Sequence, residues 1–422
     1  MKKFIQFIQQ HKMYRNIAIF LTIMGPGIIT ANVDNDAGGI ATYSLAGAHF
    51  GYTLLWSLIP ITLALVVVQE MCARMAVATG KGLADLIREN FGVKVTFYLM
   101  LVLFFVNLAN VMAEFAGVAA SLEIFNISKF ISVPLAAIFV WVLVVRGTYK
   151  SVEKIFLFAC LFYVAYVISG FIARPEWAEV LKETITPRMD FQLEYSVMLV
   201  GLVGTTIAPW MQFYLQSSIV EKGVAVEDYK HVRWDVIVGC IIAPVVAFFI
   251  VVACGATLFQ EGIHIETAKD AALALKPLAG PYATWLFAFG LFNASLFAAS
   301  VLPLSTSYCI CEGMGWDTGL DLRFEEAPEF FGLYAAIIII GAGMVLIPNF
   351  PLMRVMYLSQ VGNGILLPII LIFMLKIIND KNIMGEFINS RTFNIIAVLT
   401  VVILVLLTIL MLVFLVKFDA HF

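Results

Sequence analysis

Charge is scarce in this sequence. Asp, Glu, Lys and Arg make up 13% of its 422 residues, while 62% are hydrophobic. A soluble domain is about half apolar and about a quarter charged. A chain so short of charge cannot cover a globular surface with polar groups, so the bilayer is its natural solvent. A strong charge of either sign is missing as well. The net charge of −3 leaves no basic domain for nucleic acid and no long acidic tail. Histidine is rare: His11, His49, His231, His264 and His421 are the whole set, and none falls in the interior of a long apolar run. The six cysteines are Cys72, Cys160, Cys240, Cys254, Cys309 and Cys311. Most lie in apolar runs and read as small buried hydrophobes. Cys309 and Cys311 stand two apart on a helical run, so they point to different faces and make a poor metal pair. The basic, amphipathic start MKKFIQFIQQHKMYR lacks a small-residue cleavage site and reads as a retained cytoplasmic lead-in.

What the chain does have is apolar stretches of membrane-spanning length, about 20 residues each. They run over 18–48, 53–78, 95–124, 130–146, 154–173, 192–219, 235–259, 280–312, 330–348, 353–376 and 393–416. The expected architecture is therefore an all-α integral membrane protein of eleven transmembrane helices, forming one transport domain over 1–422. With the N-terminus inside, all but eight of the 26 Lys and Arg residues fall on the cytoplasmic side. The eight are Lys129, Arg174, Lys182, Arg188, Lys269, Lys276, Arg354 and Lys417. That bias predicts a multi-pass protein of the plasma membrane with a cytoplasmic N-terminus and an external C-terminus.

Two spans are interrupted. The first gives way at Asn32-Val33-Asp34-Asn35-Asp36-Ala37-Gly38-Gly39, and the sixth at Gly204-Thr205-Thr206-Ile207-Ala208-Pro209. Pro209 has no backbone N–H and clashes with the preceding turn. Two broken helices five spans apart are the mark of an inverted-repeat transporter. The expected fold is a LeuT-like inverted repeat of five plus five helices, over 18–173 and 192–376, with an extra helix over 393–416.

A carboxylate at mid-helix costs roughly 2.5–3.5 kcal/mol on insertion scales, and such residues usually line a polar path. An unwound helix also frees carbonyls that need partners away from lipid. A cation meets both needs. An anionic substrate would call for a basic residue, and neither break contains Lys or Arg. Asp36 supplies formal charge. Thr205, Thr206, the Ala208 carbonyl and Gln212 supply oxygens, and none is a soft sulfur ligand. An all-oxygen site suits Mg²⁺ or Mn²⁺ better than zinc or copper. Gly38, Gly39 and Ala208 would leave room for an ion that keeps some water, although Gly38-Gly39 equally suits close helix packing.

The run GPGIITANVDNDAGGIATYSLAGAHFGYTLLW resembles the first helix of the Nramp family of divalent metal transporters. GKGLADLIRENFG (80–92), AEFAGVAASL (113–122), CEGMGW (311–316) and LSQVGNGILLP (358–368) extend the likeness in order along most of the chain. The resemblance implies two inverted five-helix repeats and metal transport. It also implies roles for individual positions. The family's first-helix Asp falls on Asp36. Its following Pro becomes Ala37, and its metal-binding Asn becomes Gly39. In the sixth helix the family's Ala-Thr-Val-Met-Pro-His reads Thr205, Thr206, Ile207, Ala208, Pro209 and Trp210, so the Met thioether and the His are lost. A second family His falls near Gln216. Glu114 is kept, while the acidic residue three before it, tied to proton movement in the family, is Val111. Gln360 matches a residue that approaches the ion in some states. Asp34 has no matched role but could support the site from beside it.

Each loss has a physical consequence. Without the thioether the preference for soft ions falls away. Without the titrating groups, coupling to protons should weaken or vanish. The pattern resembles the Nramp-related magnesium transporter (NRMT) branch, which carries hydrated Mg²⁺ and also Mn²⁺ without coupled protons. The expected metal site is Asp36, Gly39, Thr205, Ala208 and Gln360, with Asp34, Thr206, Gln212 and Glu114 as further candidates. Besides the transported ion the only expected partner is lipid. No catalytic role, no cofactor, no nucleic acid and no particular oligomer are implied. The rivals are a proton-coupled Mn²⁺ or Fe²⁺ symporter of the mainstream Nramp kind and a Na⁺-coupled solute symporter, which shares the broken first and sixth helices. An intramembrane aspartyl protease needs two carboxylates from separate elements, and Asp34 and Asp36 share one segment.

Overall fold

The computed structural model describes residues 24–190, 192–263, 265, 281–348 and 352–417. The basic lead-in, the start of the first expected span, and Lys269 and Lys276 lie outside the described residues. Within them the protein is all-helical, with no β-strand.

The helices in chain order are α1 Pro26–Val33, α2 Ala37–Phe50, α3 Leu58–Thr79, α4 Leu83–Phe91, α5 Val93–Glu123, α6 Lys129–Val145, α7 Tyr149–Cys160, α8 Val164–Ile172, α9 Trp177–Ile185, α10 Leu193–Thr206, α11 Pro209–Lys222, α12 Tyr229–Cys254, α13 Pro281–Met314, α14 Pro328–Leu346, α15 Leu352–Ile378 and α16 Arg391–Lys417. Proline opens α1, α11 and α14. At that position its missing N–H would have had no helical partner in any case, and its fixed φ suits the first turn. Left-handed Gly80 and Gly223 close α3 and α11, where a side chain would be strained.

Among the described residues, nine helical stretches are long and apolar enough to cross a membrane. Two of the eleven expected spans are not among them, and each has a physical reason. The first is divided into helices of 8 and 14 residues. The fourth is the 17-residue α6, about 25 Å at 1.5 Å per residue and shorter than the ~30 Å hydrocarbon core.

Burial separates centre from rim. The α10–α11 stretch is wholly enclosed by protein over its most apolar window, whereas α16 has 22% of its window buried. The paired helices α10 and α11 therefore form the middle of the bundle, and α16 lies at its edge. All six cysteines are free thiols, five of them buried, and Cys309 packs against Met100, Sγ to Sδ 2.9 Å.

The short helix α1 is held to α12 by backbone contact. A methyl group at Gly27 would lie 2.6 Å from the Val236 backbone, and one at Gly239 would lie 2.6 Å from the Gly27 carbonyl oxygen. Neither glycine has room for a side chain. Asp235 on α12 then accepts from the Gly25 and Gly27 N–H groups, at 3.1 and 2.7 Å. It caps α1 from another helix, satisfying donors that a helix start leaves open. Lys222 at the end of α11 donates to the Met24 carbonyl at 3.1 Å and pairs with Glu153 of α7 at 2.6 Å.

This anchor predicts that Gly239→Leu destabilises the protein by about 1–3 kcal/mol, the usual cost of overpacking. Asp235→Ala should also lower the melting temperature, and Asp235→Asn should do so less. Thermal unfolding in detergent measures all three. A Gly239→Leu protein as stable as the parent would refute the close α1–α12 approach.

Candidate functional site

The first break follows from its residue types. Asn32, Asp34, Asn35 and Asp36 all carry short polar side chains that compete with helical backbone bonding. The Asn32 amide bonds back to the Ile28 carbonyl at 2.8 Å, and the Asn35 amide reaches the Ala243 carbonyl on α12 at 3.1 Å. Asp36 is the N-cap of α2. Its backbone is extended, and its Oδ1 accepts from the Gly39 N–H at 2.6 Å. The Ala37 N–H is taken by Glu114 Oε2 of α5 at 3.0 Å. Two carboxylates thus satisfy the start of a half-helix inside the bundle. Glu114 is thereby held at the residue that follows the Asp36 cap, so two buried carboxyl groups stand at one helix start, an arrangement that favours a proton or a cation beside them.

The second break lies across from the first. Helix α10 ends at Thr206 and α11 begins at Pro209, which has no N–H. The Thr205 carbonyl is therefore denied its helical donor. The C-terminal ends of α1 and α10 carry the negative end of the helix dipole into the breaks, which favours a cation there.

Around Gly39 the two breaks meet. A methyl group placed there would lie 2.6 Å from the Asp34 carbonyl oxygen and 3.4 Å from both Asp36 Oδ1 and Thr205 Oγ1. At neighbouring Gly38 it would collide with the Gln360 amide and lie 3.3 Å from Asp36 Oδ1. Asp36, Gly39, Thr205, Glu114, Gln360 and the Asp34 backbone therefore converge. All are buried, with Asp36 at 5% exposure and Glu114 at 0%. The space expected at Gly38 and Gly39 is filled by these neighbours. In this structure the glycines serve close packing.

The other expected residues are engaged elsewhere. The Ala208 carbonyl accepts from the Met211 N–H at 3.1 Å. With its nitrogen donating, the Gln212 amide bonds the carbonyls of Ala208 and Pro209 at 2.7 and 2.6 Å. Both residues thus close the first turn of α11. The Thr206 hydroxyl donates to the Leu202 carbonyl and pairs with the Tyr43 hydroxyl, each at 2.8 Å. Tyr43 ties α2 to α10, and the residue types alone did not single it out. Its spacing was a usable signal, because it lies seven residues after Asp36 and so on the same helical face.

Asp34 is the anomaly. It is 2% exposed, and neither carboxylate oxygen has a hydrogen-bond partner among the described residues. The same holds for Thr205 Oγ1 and Glu114 Oε1. Unpaired acceptors at this density favour a cation or water. Among the described residues no cluster of three or more His, Cys, Asp or Glu could cage a metal. An ion held here must take main-chain, hydroxyl or water oxygens as well.

The family model described as natural resistance-associated macrophage protein-like matches residues 27–414. A divalent metal cation transporter of Bacillus subtilis (strain 168) is 29% identical over 396 residues, 91% of this chain and 90% of that protein. The fold is similar to a manganese transporter of Eremococcus coleocola, with a TM-score of 0.80, 21% identity, and 97% of this chain and 90% of that chain covered. It is also similar to a nucleobase-cation-symport-1 family transporter in a closed conformation, with a TM-score of 0.54, 13% identity and 93% of each chain covered.

The double duty of Asp36 can be separated by substitution. Asparagine caps helices as well as aspartate, whereas alanine loses about 1 kcal/mol. Asp36→Asn should therefore keep the melting temperature and abolish cation binding, while Asp36→Ala should lose both. Titration calorimetry and thermal unfolding check this. Cation binding retained by Asp36→Asn would remove the charge from the site.

Proposed function

This chain belongs to the Nramp family, and from that premise we propose that it carries divalent metal ions across the plasma membrane by alternating access. Partly hydrated Mg²⁺ is the main cargo and Mn²⁺ the second, without obligatory proton coupling. The observation that carries this reading is the donor set: the Asp36 carboxylate, with the Asp34 carbonyl and Thr205 hydroxyl oxygens beside it, Glu114 at the next residue's N–H, and neither sulfur nor imidazole among the atoms that meet at Gly39. Hard oxygen donors suit Mg²⁺ and Mn²⁺. Ala208 and Gln360 join the ion only after their present hydrogen bonds rearrange. Asp34, Thr206, Gln212 and Glu114 support the site without forming its centre.

In this reading the divided α1–α2 pair and the short α6 complete the nine long spans to eleven. The first repeat covers about 18–173, the second about 192–376, and α16 is the addition. The N-terminus is cytoplasmic and the C-terminus external, as the lysine and arginine distribution favours. The chain is a transporter, as its relatives are, and not an enzyme.

One observation favours the proton-coupled Mn²⁺ or Fe²⁺ alternative. Glu114 holds the N–H of Ala37, the residue after Asp36, so a protonatable carboxyl does stand beside the proposed ion site. Proteoliposomes loaded with a pH dye decide between the two. Mg²⁺ and Mn²⁺ uptake without internal acidification is expected. Acidification that tracks metal entry would establish the symporter instead, and a sodium requirement would establish the third architecture-sharing class.

Selectivity gives a second test. Ala208→Met restores a thioether beside the break and should shift the Mn²⁺-over-Mg²⁺ preference by about tenfold, or ~1.4 kcal/mol. An unchanged ratio would mean that sulfur at this position is not the selector. Gly39→Asn is a poor companion, because its side chain would meet the Asp34 backbone oxygen at 2.6 Å.

A further inference from the structure

A buried chain of three amides runs from the bundle interior to the first break. Asn110 on α5 and Asn363 on α15 exchange two hydrogen bonds: Asn110 Nδ2 donates to Asn363 Oδ1 at 3.2 Å, and Asn363 Nδ2 donates to Asn110 Oδ1 at 3.3 Å. Asn363 Nδ2 also donates to Gln360 Oε1 at 3.1 Å. The Gln360 carbonyl is thereby turned away from the ion path, and its Nε2 lies over Gly38. All three side chains are buried, at 1–2% exposure.

We propose that Asn363, paired with Asn110, is a positioning residue that decides which end of the Gln360 amide meets the transported ion. The proposal rests on the transport reading above. An amide has a donor end and an acceptor end, and only the acceptor end can ligate a cation. If Gln360 alone turned over, its NH₂ would face the NH₂ of Asn363. Buried donors would then lack acceptors, at about 1–3 kcal/mol. The chain has two self-consistent polarities, and passing between them requires all three amides to reverse together. In this structure the donor end lies over Gly38, on the side where Asp36 Oδ1 also approaches, and a donor there opposes a bare cation. A cation that recruits the Gln360 carbonyl must reverse the whole chain. Asn110 and Asn363 thus set the threshold for replacing a water of hydration by a protein oxygen.

The role acts through Gln360, so a double-mutant cycle isolates it. The four proteins are the parent, Asn363→Leu, Gln360→Ala and the double variant. Melting temperatures in detergent without metal read the hydrogen-bond coupling whatever the cargo is. The two single changes should be non-additive. Mn²⁺ uptake into proteoliposomes reads the consequence. Asn363→Leu frees Gln360 to turn its carbonyl inward, so the KM for Mn²⁺ should fall about three- to tenfold, the size of one net hydrogen bond. Maximal rate should change less. In the Gln360→Ala background the same substitution should leave KM unchanged. Additive melting shifts, an unchanged KM in Asn363→Leu, or an equal KM change in both backgrounds would each overturn the proposal. A parent protein that moves neither Mn²⁺ nor Mg²⁺ would instead defeat the transport reading, while non-additive melting would still uphold the amide chain.

Discussion

The structure turns on one hydrogen bond, from the Gly39 N–H to Asp36 Oδ1 at 2.6 Å. A helix that starts inside the bundle presents unpaired N–H groups, and no bulk water is at hand to take them. Asp36 takes one such group and Glu114 of α5 takes another. Because these acceptors are carboxyl groups, the break gains ionisable oxygens at the same stroke that makes it structurally tolerable. Capping and cation attraction are one arrangement with two consequences, and the charge at the centre of the bundle needs no separate device to hold it.

The surrounding packing gives that arrangement its shape. Helix α1 is too short to be stable alone. It is held through the Gly27–Gly239 backbone contact and the Asp235 cap supplied by α12. Helix α2 is tied to α10 through Tyr43 and Thr206. Each half of the first broken helix therefore leans on a different element. Separate supports of this kind fit the alternating-access reading proposed above.

Oxygen chemistry at the break comes in two grades. The Asp34 carbonyl, the Thr205 hydroxyl and the Asp36 carboxylate already lie together around Gly39. The Ala208 carbonyl and the Gln360 amide are committed to Met211, Gln212 and Asn363. An ion arriving with water needs only the first grade. An ion stripped of water needs the second, and must break protein hydrogen bonds to reach it. A hard, reluctantly dehydrating cation is matched to the first case. The same structure can thus discriminate by hydration cost as well as by ligand softness.

The sequence by itself determined the helical, membrane-suited class and both interruptions, and it singled out Asp36, which caps the helix after the first of them. These depend on local composition: long apolar runs, Asx residues that compete with the helix, and a proline without an N–H. It also pointed to Thr205 through the break in the sixth span, and to Glu114 and Gln360 through their resemblance to a known pattern. Tertiary structure decided how those residues are used. Gly38 and Gly39, which on composition alone offered room, are pressed against Asp34 and Gln360. Gln212 turns back on its own helix, and the polarity of Gln360 is set through Asn110, which is 253 residues from Asn363 in the chain. Such details depend on which faces of distant helices meet and at what distance, and hydrophobic periodicity constrains neither to the ångström that a hydrogen bond requires.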